Sequence, residues 1–437
     1  MRAALAPLVC LALAAAAAAP PARGSGQAAP AEPAAVRLPL EASPPEAPPR
    51  RNSHPIVLVH GFLGFARRGP AGLNYWGGKL DIPAELRVRG FEVYAADVGP
   101  VSSSWDRACE LFACLRGGRV DYGAAHARAC GHDRYGALYP GLLPDWGENR
   151  RVHLVGHSMG GQTARLMVTL LEEGDAAEAA ATRPGELSPL FAGGHIGEQA
   201  WVRSVTTIAT PHDGTPAACR FNLSSPGLRR FAAGLYYRGV ACRPRSPARL
   251  GLDLRLEAWG LAPGPGECET RSRRRFAEAD AWWRSRDTGM WDGSPEGARE
   301  LNLRAGARPD VYYFSWAAEQ TTRHPITGRY VPEPRMSFLI YSQAGFIGAY
   351  HSDPQWWPND GIVSTCSMDG PSLGSADRIE AFTGVPRPGV WNFMGVLQSL
   401  DHLDLIGVPS AREKPSGYES LPEWYASIAA FIARLEP

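Results

Sequence analysis

The run Val152-His153-Leu154-Val155-Gly156-His157-Ser158-Met159-Gly160-Gly161 carries the strongest chemical signal in the chain. A short apolar stretch leads into Gly-x-Ser-x-Gly. Apolar residues at helical spacing follow: Ala164, Met167, Val168 and Leu171 recur at i, i+3, i+4 and i+7, and Gly174 ends the pattern. A serine on a tight turn between a strand and a helix has its hydroxyl thrust above the sheet, where it can attack a carbonyl. Gly156 and Gly160 leave room for neighbouring backbone. The positive end of the following helix favours the negative charge that develops as the hydroxyl adds. This is acyl-transfer chemistry, and it requires an oxyanion hole, a base and an acid.

Ile56-Val57-Leu58-Val59-His60-Gly61-Phe62 reads as a buried strand ending in His-Gly-aromatic. In this arrangement one oxyanion donor comes from the loop after an earlier strand and the other from the residue after the nucleophile. That assigns the backbone N–H groups of Phe62 and Met159, with His60 and His157 as structural parts of their turns. Acid and base should follow in the order Ser, Asp/Glu, His. The histidines after Ser158 are His195, His212, His324, His351 and His402. His402 lies late, in Ser399-Leu400-Asp401-His402-Leu403-Asp404 before a final helical pattern, and is the expected base. Asp360, in Pro358-Asn359-Asp360-Gly361-Ile362-Val363, is the expected orienting acid; spacing alone leaves Asp353 and Asp369 open.

Positioning these groups takes a sheet. Nearly continuous apolar runs occur at Ile56 to His60, Phe91 to Val98, Val152 to Val155, Val202 to Ala209 and Val311 to Trp316, with helical patterns between some of them. Such runs suit central parallel strands covered on both faces, and their alternation with helices indicates an α/β fold. The 437 residues set a prior of two or three domains. With 45 Lys+Arg against 44 Asp+Glu the net charge is +1, which argues against nucleic-acid binding by bulk electrostatics. Past the first twenty residues no apolar run is long enough to span a bilayer.

Met1 to Ala19 has an early Arg2, then an apolar stretch ending in small residues before Pro20, the pattern of a secretory signal peptide. Residues 20–53 are rich in Ala and Pro and read as a flexible linker. Export permits disulfides. Of the seven cysteines beyond Cys10, Cys219 and Cys242 are the most plausible pair because they would staple one loop, and an odd thiol is left over.

Longer motifs carry a family resemblance. They are Tyr75-Trp76-Gly77-Gly78, Gly99-Pro100-Val101-Ser102-Ser103-Ser104-Trp105-Asp106-Arg107-Ala108-Cys109, Val120 to His126, Val205 to Thr215, Asn359-Asp360-Gly361-Ile362-Val363, Gly389-Val390-Trp391-Asn392 and Asp401-His402-Leu403. Over roughly His54 to Pro437 the chain resembles the thermoalkaline bacterial true lipases with an inserted zinc-binding subdomain, which are related to staphylococcal lipases. The resemblance implies an α/β-hydrolase fold with a mostly parallel sheet, and it selects Asp360 and His402 as triad acid and base. It implies one lipase domain over 54–437, with zinc-subdomain elements at about 103–140 and 250–300 and a helical lid at about 215–248.

The implied zinc ligands are two His and two carboxylates, matching Asp106, His126, His132 and Glu257. Glu257 stands where the family has Asp, and Asp253 is its alternative. Six residues of continuous helix would set the two histidines about 240° apart, so Gly131 must break the helix for them to converge. The resemblance also implies calcium near Asp404. There the next family carboxylate falls on Pro409, which has no side-chain oxygen, so that site is weakened. Leu228, Phe231, Ala232 and Leu235 make one apolar face where the lid is expected, with Arg229, Arg230 and Arg238 off it. The expectation is a secreted, monomeric triacylglycerol lipase acting on glycerolipid esters at a lipid–water interface. An esterase, phospholipase or lipid acyltransferase using the same triad is the first alternative, and a non-catalytic secreted binding module of the same fold, which would typically lack a triad residue, is the second.

Overall fold

Every residue of Ile56–Val59 is apolar and buried, so this strand lies mid-sheet with both faces covered. The computed structural model describes residues 50–66, 69, 72–220, 229, 253–262, 267, 269–408 and 413–435. Its central sheet contains β1 (Ile56–Val59), β2 (Val93–Ala96), β3 (Val152–His157), β4 (Val202–Ile208), β5 (Tyr312–Glu319), β6 (Ile379–Ala381) and β7 (Trp391–Gln398). The spatial order is β6-β7-β5-β4-β3-β1-β2, and every pairing in it is parallel. In β1, Ile56 pairs with both Val93 and His153, which registers β1 between β2 and β3.

Helices along the chain include α1 (Ile82–Val88), α2 (Ser104–Arg116), α3 (Ala124–Cys130), α4 (Met159–Glu173), α5 (Gly289–Asp292), α6 (Pro295–Arg304), α7 (Phe338–Tyr350) and α8 (Leu421–Ala433), of which α1, α2, α4 and α8 pack on this sheet. Strand side chains alternate between faces, and two cores result. Val57 and Val59 point into one core with Leu111 and Leu115 of α2 and Met167 and Leu171 of α4. Ile56 and Leu58 point into the other with Leu86 of α1 and Trp424, Ile428 and Ile432 of α8. Each such buried large side chain contributes roughly 1.5–3 kcal/mol relative to exposure.

The strand expectations differ from the fold at their edges. Phe91 precedes β2: its amide closes the turn after α1 onto the Leu86 carbonyl at 3.1 Å. Val98 follows β2 and gives its amide to His60 Nε2 at 3.3 Å instead of to a strand. Strands β6 and β7 were not among the expected runs. A bulge between Phe393 and Val396, with Gly395 at φ 101°, breaks the alternation that would have marked β7. The expected signal peptide, most of the linker, most of the lid and Pro409 lie outside the described residues, as does Cys242 of the expected disulfide. Among the described residues no helix is long and apolar enough to cross a membrane.

Gly160 shows how tightly β1 and α4 meet, because a Cβ there would lie 2.0 Å from the Val59 carbonyl oxygen. Gly160→Ala should therefore cost on the order of 3 kcal/mol in urea denaturation, by forcing β1 and α4 apart. An unchanged midpoint would contradict this packing.

Candidate active site and metal group

Strand β3 ends at His157, and Ser158 turns the chain into α4 at φ 56° and ψ −134°. A non-glycine residue in that region is strained, at a cost of roughly 1–3 kcal/mol. The turn holds because its backbone is fixed: the Ser158 amide donates to the Ile208 carbonyl at 2.9 Å, and the Ser158 carbonyl accepts from Gly161 N and Thr210 Oγ1. Glycine is required on both sides. A Cβ on Gly156 would lie 2.4 Å from Gly161 N, and one on Gly61 would lie 2.6 Å from Ser158 Cβ.

The loop after β1 reaches the same turn. Gly61 N donates to the Tyr75 hydroxyl at 2.8 Å, and that hydroxyl donates on to His157 Nδ1 at 2.7 Å. Burial drives the His157 pKa well below the ordinary histidine value, which keeps the ring neutral and Nδ1 an acceptor. His60 is structural in the same way: Nδ1 donates to the Gly61 carbonyl and Nε2 accepts from Val98 N. Arg107, fully buried on α2, fixes the loop from behind through the carbonyls of His60 and Gly99 and the Thr163 hydroxyl. Among the described residues no protein acceptor takes the Phe62 or Met159 amide.

Asp360 and His402 come together at the carboxyl end of the sheet. Asp360 Oδ2 lies 2.6 Å from His402 Nδ1, while Oδ1 accepts from the amides of Ile362 and Val363. The carboxylate is thus fixed in a turn and orients the ring, leaving Nε2 for a proton from elsewhere. The His402 ring stands against that of His157, with centroids 4.5 Å apart, and His157 immediately precedes Ser158. Asp353 instead caps a 3₁₀ turn at Gln355, and His212 is held by Thr207 and Arg165 deep in the fold.

A second cluster lies across α2 and α3. Gly131 ends α3 in the left-handed conformation at φ 83°, and His132 folds back until its ring centroid is 5.4 Å from that of His126. His126 Nε2 lies 3.3 Å from Asp106 Oδ1 and 3.3 Å from Asp287 Oδ1, and His132 Nε2 lies 3.1 Å from Asp287 Oδ2. Glu257 is not in this group. It is exposed on its own turn, and Asp287 supplies the second carboxylate. Cys130, one helical turn after His126, places its sulfur 3.8 Å from His126 Nδ1, and a ligand atom from each of His126, Cys130, His132 and Asp287 fits within 4.8 Å.

The cluster fits a divalent cation on three grounds. Asp106 Oδ1, His126 Nε2, His132 Nε2 and Asp287 Oδ2 are buried without a hydrogen bond. Ring nitrogens and carboxylate oxygens lie 3.1–3.9 Å apart, around the edge of a tetrahedron with 2.0–2.1 Å bonds, about 3.3 Å. The two carboxylates also demand two positive charges. Burial opposes charge on the rings, but the carboxylates outweigh it and push His126 up to about 12 and His132 up to about 10. One divalent cation satisfies the same demand as those two protons. His132 Nδ1 faces the Asp133 carbonyl at 2.8 Å, which aims Nε2 inward.

Near His402, Asp401 is buried and its neighbour Asp404 half-buried, and burial with the Asp401 charge pushes Asp404 up to about 7. Their oxygens already accept backbone amides of Asp401, Ser337, Leu403 and Asp404.

Sequence reasoning missed Tyr75, Arg107, Asp287 and Cys130. Cys130 alone had a local signal, its i+4 spacing from His126. The partners of the others are remote in sequence.

The chain matches the family described as "Lipase-like, C-terminal domain" over residues 52–437. It is 36% identical over 417 residues to the lipase of Staphylococcus hyicus, covering 94% of this chain and 62% of that protein. The crystal structure of that lipase superposes with a TM-score of 0.77, covering 91% of this chain and 99% of that one. Lipase 1 from Pelosinus fermentans is 41% identical with a TM-score of 0.73, covering 88% and 100%. EstA from Clostridium botulinum is 40% identical with a TM-score of 0.76, covering 87% of each. The chain thus spans less than two thirds of its staphylococcal relative's full length.

Tyr75→Phe keeps the ring but removes the hydroxyl between Gly61 and His157. It should cost about 1–3 kcal/mol in urea denaturation, because a buried donor and acceptor lose their partner. A change smaller than about 0.5 kcal/mol would show that the strap carries no weight.

Proposed function

The chain belongs to the lipase-like family, and from that premise we propose that it is a carboxylic-ester hydrolase, specifically a secreted triacylglycerol lipase. The observation that carries the reading is the 2.6 Å contact between Asp360 and His402, set beside the strained turn of Ser158. Ser158 Oγ attacks the ester carbonyl and His402 Nε2 takes its proton. Asp360 holds the ring and stabilises its charged form. The amides of Phe62 and Met159 receive the oxyanion. His402 then protonates the departing alkoxide, and water activated by the same ring releases the fatty acid. The substrate is a glycerolipid ester at a lipid–water interface. Export rests on the composition of Met1 to Ala19.

Zinc is the cation best matched to the second cluster, held by Asp106, His126, His132 and Asp287. Imidazole nitrogen and carboxylate oxygen are its usual partners, and four protein ligands make a closed site that stabilises structure. The chain's own residues prepare the place: Glu178 accepts the amides of Ala125 and His126 and so fixes the start of α3. Calcium fits less well. Asp401 and Asp404 fall short of the six to eight oxygens it takes, and no step is assigned to it.

Ser158→Ala should lower hydrolysis of p-nitrophenyl esters by about 10⁴-fold or more while the far-ultraviolet circular dichroism stays the same. Retained activity would reject the assignment, and a panel of acyl lengths and head groups separates lipase from phospholipase.

Chelation should lower the unfolding free energy, and zinc at a hundredfold excess over its dissociation constant should restore about 2.7 kcal/mol. Asp287→Asn should abolish that zinc-dependent gain and Glu257→Gln should leave it intact. The reverse pattern would return Glu257 to the ligand set.

A further inference from the structure

The metal group and the oxyanion loop share a wall. Two residues after Asp287, Gly289 opens α5 and gives its amide to the Val101 carbonyl at 2.9 Å. The adjoining Pro100 carbonyl takes the amide of Leu63 at 2.8 Å, next to Phe62. One dipeptide therefore clamps the metal-bearing segment with one carbonyl and the oxyanion loop with the other.

Side chains close the same gap. A Cβ on Gly289 would lie 2.8 Å from Met159 Sδ and 3.0 Å from Phe62 Cδ2, so this Cα presses on both residues assigned as oxyanion donors. Phe62 and Leu63 also pack against the apolar cluster of Val101, Leu256 and Trp282. The far end of the segment is tied down as well. The Asp292 carboxylate accepts the Ser104 amide at the start of α2, two residues before Asp106, and the Asp292 carbonyl accepts from Gln162 Nε2 on α4 at 3.0 Å.

We propose that the metal group positions the oxyanion donors through the segment Asp287 to Gly293, with Gly289 as the positioning residue. A cation shared by Asp106 and Asp287 locks α2 to this segment. The segment in turn sets the Pro100-Val101 clamp and the side chains of Phe62 and Met159. A metal outside the reaction thereby tunes the stabilisation of charge within it. The inference rests on the hydrolase reading for its catalytic consequence, but the mechanical link does not.

Hydrogen exchange read by mass spectrometry tests that link on the full chain with zinc and after chelation. Peptides covering residues 60–66 and 286–294 are compared with the β3 peptide 152–157. Zinc removal should raise exchange in the first two by about tenfold or more and leave β3 protected. On p-nitrophenyl butyrate, kcat should fall with KM nearly constant. Gly289→Ala, which keeps every ligand, should reproduce the kcat fall at unchanged zinc content.

Three results would overturn the proposal: peptide 60–66 indifferent to zinc while 286–294 opens, all three peptides opening together as for a global staple, or wild-type kcat in Gly289→Ala. If the protein hydrolyses no ester but peptide 60–66 still follows zinc, the hydrolase reading fails and the link stands.

Discussion

At the carboxyl edge of the sheet three stretches of backbone approach more closely than any Cβ allows. Gly160 rests on the Val59 carbonyl, Gly156 on the first turn of α4, and Gly61 on Ser158 itself. This contact is the constraint on which the rest depends. It lets β1 and β3 end at the same level, with Val59 paired to Gly156, so the loop after one lies against the turn after the other. It also makes the φ of 56° at Ser158 tolerable, because the Ile208 carbonyl and Thr210 hydroxyl hold that turn from β4 and its loop. The Asp360–His402 pair comes from the other side, on loops beyond β5 and β7.

Polar burial near this edge is offset by specific partners. Arg107 is fully buried, and burial pulls its pKa down to about 10, yet it stays charged near neutral pH because carbonyls and Glu110 face it. Tyr75 also satisfies buried polar groups with one hydroxyl, joining the loop after β1 to His157. The metal group poses the opposite problem, since its carboxylates and imidazoles are buried facing one another and need added positive charge. A divalent cation would supply it, and the residues that would hold it lie on α2, on α3 and its end, and on the segment that leads to Gly289.

Much of the fold could be read along the chain because its signals are local. The apolar run of β1, the Gly-x-Ser-x-Gly turn and the helical spacing after it each fit within fifteen or so residues, and the order of serine, acid and base narrows the rest. Gly131 between the two histidines likewise signalled a break that α3 makes. What could not be read depends on distant partners. Asp287 meets His126 and His132 only through the fold, and a family-like carboxylate at Glu257 drew the assignment away from it. Strand β7 hid behind its bulge, and Tyr75 and Arg107 gained their roles from contacts with residues on other elements.

The central claim is that Ser158 is a nucleophile poised by this geometry. Its most direct test is to treat the protein with a p-nitrophenyl alkylphosphonate and map the adduct by peptide mass spectrometry. Attack by Ser158 Oγ on phosphorus forms the Ser–O–P bond and expels p-nitrophenolate. The account predicts one adduct per chain, on the peptide carrying Ser158. An unmodified protein, or an adduct on another residue with Ser158 intact, would contradict it.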